Sequence, residues 1–261
     1  MTTLDAIILG LVQGIAEFLP ISSSGHLHLF EYFLGFKNLD RYILFDLACH
    51  LGSLVAIFII FFQPIKELFG PKKKRFLQLI VATLPLFPLV ALMAPIKVIY
   101  ADPSYLGFFF LLTSAILFLG VRYGKESHLA AQRQNSWRDA FLIGLWQAVA
   151  ILPGISRSGS TISGARLLGW EMKTAITFSF LLAIPTILGG TTLEVINWYR
   201  HPELLEPLPS EHYIVGFFVS LVTGLAALKL LFYIASENKF YYFSWYCLFL
   251  GLATTAYFHL L

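Results

Sequence analysis

The chain has 261 residues, of which 57% are hydrophobic and only 13% charged, with a formal net charge of +3. A water-soluble domain carries about 25% charged residues, so this composition excludes a soluble globular protein and implies an integral membrane protein seated in a bilayer. The small net charge points to no nucleic-acid partner, and the two cysteines, Cys49 and Cys247, lie inside apolar runs with neither a disulfide framework nor a metal-type spacing.

The first stretch runs from Asp5 to Gly25 as DAIILGLVQGIAEFLPISSSG. It has no basic n-region and carries Asp5, Gln13 and Glu17, so it is expected to stay in place and not be cleaved as a signal peptide. An apolar half-helix, a break at Pro20 and a second short apolar segment make residues 4–35 a helical hairpin. A membrane span needs about 20 apolar residues to cross about 30 Å of hydrocarbon. Three stretches follow that qualify, at 42–62, 76–100 and 105–123. The second contains Pro85, Pro88 and Pro95 and should be kinked.

From Asp139 to Gly159 the chain repeats itself as DAFLIGLWQAVAILPGISRSG, with 10 of 21 positions identical to the first stretch. The matches include Asp5/Asp139, Gly10/Gly144, Gln13/Gln147, Ser22/Ser156, Ser24/Ser158 and Gly25/Gly159. Polar residues and glycines in register imply an internal duplication. Residues 138–168 are therefore a second hairpin, and spans at 173–198, 213–235 and 241–261 complete the chain. Broken backbone at membrane depth is tolerated only where protein or a wet cavity surrounds it, so both hairpins are expected to be re-entrant.

Loop charges set orientation. Lys66, Lys72, Lys73, Lys74 and Arg75 place the 63–75 loop in the cytoplasm, and Arg122, Lys125, Arg133 and Arg138 do the same for 122–138. Asp102, then Glu203, Glu206 and Glu211, place 101–104 and 199–212 outside. Three spans per half turn the second half upside down. The expected fold is an all-α integral membrane protein, a single membrane domain over 1–261, with six transmembrane helices plus two re-entrant hairpins. Its inverted-topology repeats cover residues 1–123 and 136–261, and the two hairpin tips meet near the midplane. Transporters use the same design, so a lipid-phosphate or ion transporter stands as the alternative to an enzyme.

Gln13 and Glu17 are four apart and share a helix face. A carboxylate at bilayer depth costs about 2.5–3.5 kcal/mol on insertion scales, which suits a metal ligand or a general acid/base. A glutamate at the interface is the plainer alternative. Ser22, Ser23, Ser24, Gly25 and His26 open a new helix, where free N–H groups make an anion site and the histidine can move protons; a plain N-cap run would look the same. In the second tip, Gly154, Ser156, Ser158 and Gly159 surround Arg157, which stands where the first copy has Ser23. Its fork suits a phosphate, and pairing with Glu17 across the repeat axis would also account for it. Asp46 and His50, four apart, either face the same cavity or sit satisfied in the interior. Asp5 and Asp139 are helix-start charges.

Together, EFLPISSSGH from Glu17 to His26 and PGISRSGST from Pro153 to Thr161 resemble the undecaprenyl-diphosphate phosphatase family, the bacitracin-resistance membrane phosphatases. FDLACHLGSLVA at 45–56, ATLP at 82–85 and FSFLLAIP at 178–185 extend the resemblance over essentially the whole chain. It implies removal of the terminal phosphate from undecaprenyl diphosphate at the outer face of a bacterial inner membrane, recycling the cell-wall carrier lipid. It implies a divalent cation, Mg²⁺ or Ca²⁺, as cofactor. By position it makes Glu17 and Gln13 the acidic-motif pair that holds the metal, Ser23 the proposed nucleophile, His26 the essential histidine and Arg157 the phosphate clamp; His26 is then a base for Ser23, and a direct water attack assisted by His26 or Glu17 stays open. Ser22, Ser24, Gly25, Gly154, Ser156, Ser158 and Gly159 would line the substrate. Glutamine at 13 removes one charge that the pattern allows, and Tyr246 is followed by Cys247 where the family often has arginine. Another class of lipid phosphatase is excluded, since no Lys-x6-Arg-Pro precedes Ser24-Gly25-His26 and no histidine follows Arg157 closely. The sequence leaves the oligomeric state open, a homodimer included.

Overall fold

The computed structural model describes residues 1–36, 42–92, 96, 98–99, 102–127, 129, 134, 136–200 and 208–260, and all regular structure among them is helical. Of the sequence expectations, those on Pro95, Arg133, Glu203 and Glu206 fall outside the described residues.

The first hairpin is α1 (Thr3–Phe18) followed by α2 (Ser23–Phe33). A capping box opens α1: the Asp5 N–H donates to the Thr2 hydroxyl at 3.2 Å, and the Thr2 N–H donates to the Asp5 carboxylate at 2.6 Å. Then come α3 (Ile43–Ile60), the short α4 (Phe62–Leu68) and α5 (Lys73–Thr83). The stretch expected as one kinked span is in fact broken. After α5 the chain passes through a 3₁₀ turn, Leu84–Leu86, into the four-residue α6 (Phe87–Val90). Pro85 and Pro88 together remove two N–H donors within one turn, so the α-helical ladder cannot run through. A second 3₁₀ turn, Pro103–Tyr105, leads into α7 (Leu106–Tyr123).

The second hairpin is α8 (Trp137–Val149) and α9 (Arg157–Leu167). Asp139 lies in the first turn of α8, as expected, and it is also buried, taking a 3.2 Å hydrogen bond from the Trp170 indole N–H. The chain closes with α10 (Met172–Arg200), α11 (Ser210–Ser236) and α12 (Tyr241–Leu260). Pro185 sits inside α10, an arrangement membrane helices tolerate because neighbours satisfy the freed carbonyl.

Four of these segments, Ile43–Ile60, Pro103–Tyr123, Met172–Arg200 and Ser210–Ser236, are long and apolar enough to cross a bilayer. Their outward faces carry bare apolar side chains such as Phe58, Phe118, Leu188, Phe218 and Val222, which only a lipid solvent accommodates. This is a multi-pass, all-helical membrane protein. α12 has the length to span, at 20 residues, but tyrosines, serine and threonines dilute its apolarity.

Helix packing follows the rule for lipid, in which close backbone approach replaces the hydrophobic effect between helices. α11 lies against both α1 and α3, and α12 lies against α7. A Cβ on Gly14 would stand 2.6 Å from the Ser220 carbonyl oxygen, so only glycine allows α1 and α11 this contact. The Ser220 hydroxyl reinforces it by donating to the Gly10 carbonyl at 3.0 Å.

Candidate active site

The two hairpin turns are built alike. Ser22 caps α2, its hydroxyl accepting from the Gly25 N–H at 3.3 Å; Ser156 caps α9, its hydroxyl accepting from the Gly159 N–H at 3.0 Å. The Ser22 and Ser24 hydroxyls lie 3.4 Å apart, and those of Ser156 and Ser158 lie 3.3 Å apart. The turns also touch. A Cβ on Gly25 would lie 2.8 Å from the Gly154 Cα, one on Gly159 would lie 3.2 Å from the Pro20 carbonyl oxygen, and the Ser158 hydroxyl reaches the Leu19 carbonyl at 3.5 Å. Two helix starts, each with unsatisfied first-turn N–H groups, therefore stand side by side. Ser22 holds φ 75°, a left-handed conformation that costs a non-glycine residue about 1–3 kcal/mol and is typical of functional turns.

Glu17, at the end of α1, joins the two halves. Its Oε1 accepts from the Arg157 Nη2 at 2.7 Å, and its Oε2 accepts from the Ser23 hydroxyl at 2.7 Å and from the Gln13 side-chain amide at 3.2 Å. The Arg157 Nη1 also donates to the Ser179 carbonyl at 3.4 Å. Side-chain exposure is 6% for Glu17 and 15% for Arg157, so this is a buried pair in which neither charge can be removed without stranding the other. The pairing of Arg157 with Glu17, one of the two readings of that arginine, is thus present. Its position beside the helix start leaves the second reading, phosphate binding, geometrically open to it as well.

The expected pairing of Ser23 with His26 is absent. Both nitrogens of the His26 ring are engaged elsewhere, Nδ1 with the Ser22 carbonyl at 2.7 Å and Nε2 with the Tyr246 hydroxyl at 2.7 Å. The Ser23 hydroxyl faces Glu17 instead. His50 combines its two readings. Its Nδ1 is satisfied by the Asp46 carbonyl at 2.8 Å, and its Nε2 faces Glu17 at 3.9 Å.

Gln13 is fully buried, and its Oε1 has no hydrogen-bond partner. An orphaned amide oxygen on the turn before a carboxylate fits a hard cation that takes oxygen ligands. Among the described residues no three His, Cys, Asp or Glu side chains cluster as a metal site, so protein ligands alone do not complete one.

Two contributors escaped the sequence reading. Thr113, from α7, holds the second turn by donating to the Gly154 carbonyl at 2.8 Å and accepting from the Ser156 N–H at 3.0 Å. Tyr246, from α12, is the other. A hydroxyl inside the apolar run of α7 was the available signal for Thr113. Nothing local pointed Tyr246 at His26. The second repeat has no counterpart of Glu17, since Ile151 takes its place. Gln147, the equivalent of Gln13, is satisfied by Thr186 and by the Ala82 carbonyl. The duplication therefore gives one asymmetric site.

Comparison with known proteins places the whole chain beside one family. A family model described as Bacitracin resistance protein BacA matches residues 6–253. A protein of Protochlamydia amoebophila named undecaprenyl-diphosphatase is 50% identical over 261 residues, 100% of both chains. Proteins of the same name from Carboxydothermus hydrogenoformans and Sulfurihydrogenibium sp. are 38% and 36% identical over 254 residues, covering 97% of this chain and 96% and 98% of theirs.

Proposed function

The chain belongs to the bacitracin resistance protein BacA family, and from that premise we propose that it hydrolyses undecaprenyl diphosphate to undecaprenyl phosphate and inorganic phosphate. The observation that carries the proposal is the Ser23–Glu17–Arg157 chain of contacts across the two turns. It brings a hydroxyl, a carboxylate and a guanidinium together, which supports reading them as nucleophile, proton acceptor and phosphate clamp.

In this reading the diphosphate sits at the paired helix starts, where the Arg157 guanidinium and the first-turn N–H groups of Ser23, Ser24, Arg157 and Ser158 hold its non-bridging oxygens. Positioned charge of this kind is where phosphoryl transfer gains most. The Ser23 oxygen attacks the terminal phosphorus, its proton passes to Glu17, and the bond to the bridging oxygen breaks to release undecaprenyl phosphate. Glu17, and not His26, takes the role of base, because it is the group the Ser23 hydroxyl touches. Water then attacks the phosphoserine with His26 taking its proton, the phosphorus–oxygen bond to Ser23 breaks, Glu17 returns its proton to the Ser23 oxygen, and phosphate leaves. Glu17 and Gln13 would hold a divalent cation, Mg²⁺ or Ca²⁺, which when bound offsets charge on the phosphate oxygens.

The finer architecture belongs to the same proposal: six spans and two re-entrant hairpins in inverted repeats over 1–123 and 136–261, supported by the matched capping of the two turns. Lys72–Arg75 and Arg122 mark the cytoplasmic side, and the site opens to the outer face of the inner membrane. Phosphate release from undecaprenyl diphosphate by the purified protein in detergent tests the reading, since no transport can be scored there. Release that stops with EDTA and returns with Mg²⁺ or Ca²⁺ supports it. Lipid movement in vesicles with no phosphate released overturns it.

A further inference from the structure

The His26 ring is clamped from three directions. The Ser22 carbonyl, which can only accept, lies 2.7 Å from Nδ1, so Nδ1 carries the ring hydrogen. Nε2 is then the bare acceptor, and the Tyr246 O–H, 2.7 Å away, donates to it. Phe110 meets the ring edge-on, with centroids 5.2 Å apart at 72°, while the Tyr246 ring lies nearly parallel to it at 11°. His26 itself is 6% exposed, so few other groups can reach it. The phenol comes from α12, 220 residues further along the chain. It is the one hydrogen bond His26 makes to another side chain among the described residues.

We propose that Tyr246 is the positioning residue for His26: its hydroxyl occupies Nε2 and fixes the ring orientation until water displaces the phenol. The Ser22 carbonyl fixes which nitrogen carries the hydrogen, and Tyr246 fixes the direction the other nitrogen faces. With Nδ1 committed to Ser22 and Nε2 to Tyr246, one tautomer and one ring orientation are selected before substrate binds. The step itself conserves atoms simply. Water enters, its proton moves to Nε2, its oxygen bonds to phosphorus as the bond from phosphorus to the Ser23 oxygen breaks, Glu17 returns the proton it took to that oxygen, and the displaced tyrosine keeps its own proton. This inference rests on the reading of His26 as the group that accepts the proton from water.

The test is Tyr246→Phe in the full-length protein in detergent, beside His26→Ala and the double variant. Tyr246 is 45% exposed and the substitution removes only its hydroxyl, so the ring packing is kept. Expected for Tyr246→Phe are a kcat lower by about tenfold or more, within the range a general acid–base group supplies, an unchanged KM and an unchanged unfolding temperature. In the His26→Ala background the tyrosine substitution should have no further effect on kcat. Nitrogen-15 spectra of labelled histidine should keep the Nδ1–H tautomer of His26 in both proteins, because the Ser22 carbonyl holds it, while the Nε2 resonance should shift in Tyr246→Phe as its donor is lost. Wild-type kcat and an unaltered Nε2 resonance in Tyr246→Phe, with His26→Ala inactive, would overturn the inference and leave the role of His26 standing. Full activity of His26→Ala would instead overturn that role.

Discussion

Arg157→Lys separates charge from geometry at the centre of the site. The arginine uses two arms, Nη2 on Glu17 at 2.7 Å and Nη1 on the Ser179 carbonyl at 3.4 Å. A lysine ammonium is a single point on a flexible stem and cannot span both partners while meeting a phosphate. Glu17 keeps a cation nearby, so the loss of stability should stay below the roughly 3–5 kcal/mol that stranding one member of a buried pair costs. Turnover should suffer far more. Losing one well-aimed donor to developing negative charge lowers kcat by about 10²–10³, or about 2.7–4 kcal/mol. Initial rates of phosphate release across a range of undecaprenyl diphosphate concentrations, with thermal unfolding in the same detergent, give both quantities. Near-wild-type turnover from Arg157→Lys would refute the fork as a phosphate clamp.

Gly25→Ala should force the two turns apart, because the new methyl would stand 2.8 Å from the Gly154 Cα and 2.7 Å from the Phe110 ring; phosphate release should fall by about tenfold or more, equivalent to about 1.4 kcal/mol in the barrier. Gly189→Ala is its control. Nothing lies within 4 Å of that position, so activity should hold and stability should rise by about 0.5–1 kcal/mol, and equal behaviour of the two variants would contradict the close-approach account. Thr113→Val keeps the shape but strands the Gly154 carbonyl and the Ser156 N–H; thermal unfolding should report a loss of about 1–3 kcal/mol per stranded group, and an unchanged unfolding temperature would show that Thr113 does not hold the turn.

Much of this site could be read along the chain because its logic is local. The serines that cap α2 and α9, the glycines three residues beyond and the break after α1 follow from capping and turn chemistry. The duplication exposed which positions differ between copies, and those differences, Glu17 against Ile151 and Ser23 against Arg157, are where the contacts that link the two turns stand. What escaped were contacts made between distant helices. Tyr246 reaches His26 across 220 positions, and no periodicity within α12 encodes that. The partner of Ser23 was misjudged for a different reason: His26 lies three residues on and looks close, but its Nδ1 is drawn back to the carbonyl four residues before it, which turns the ring away. The proline-rich stretch after α5 read as a kink and proved to be a break because Pro85 and Pro88 act within a single turn.

A coupling measurement between Glu17 and Arg157 asks most directly whether both turns serve one diphosphate. Phosphate release is compared for Glu17→Ala, Arg157→Ala and the double variant. Groups acting as a unit are strongly non-additive, so each single variant should lose most of kcat/KM and the double should lose little more. Losses that multiply, with the double variant falling by the product of the two singles, would mean that the turns act independently and that no shared site exists.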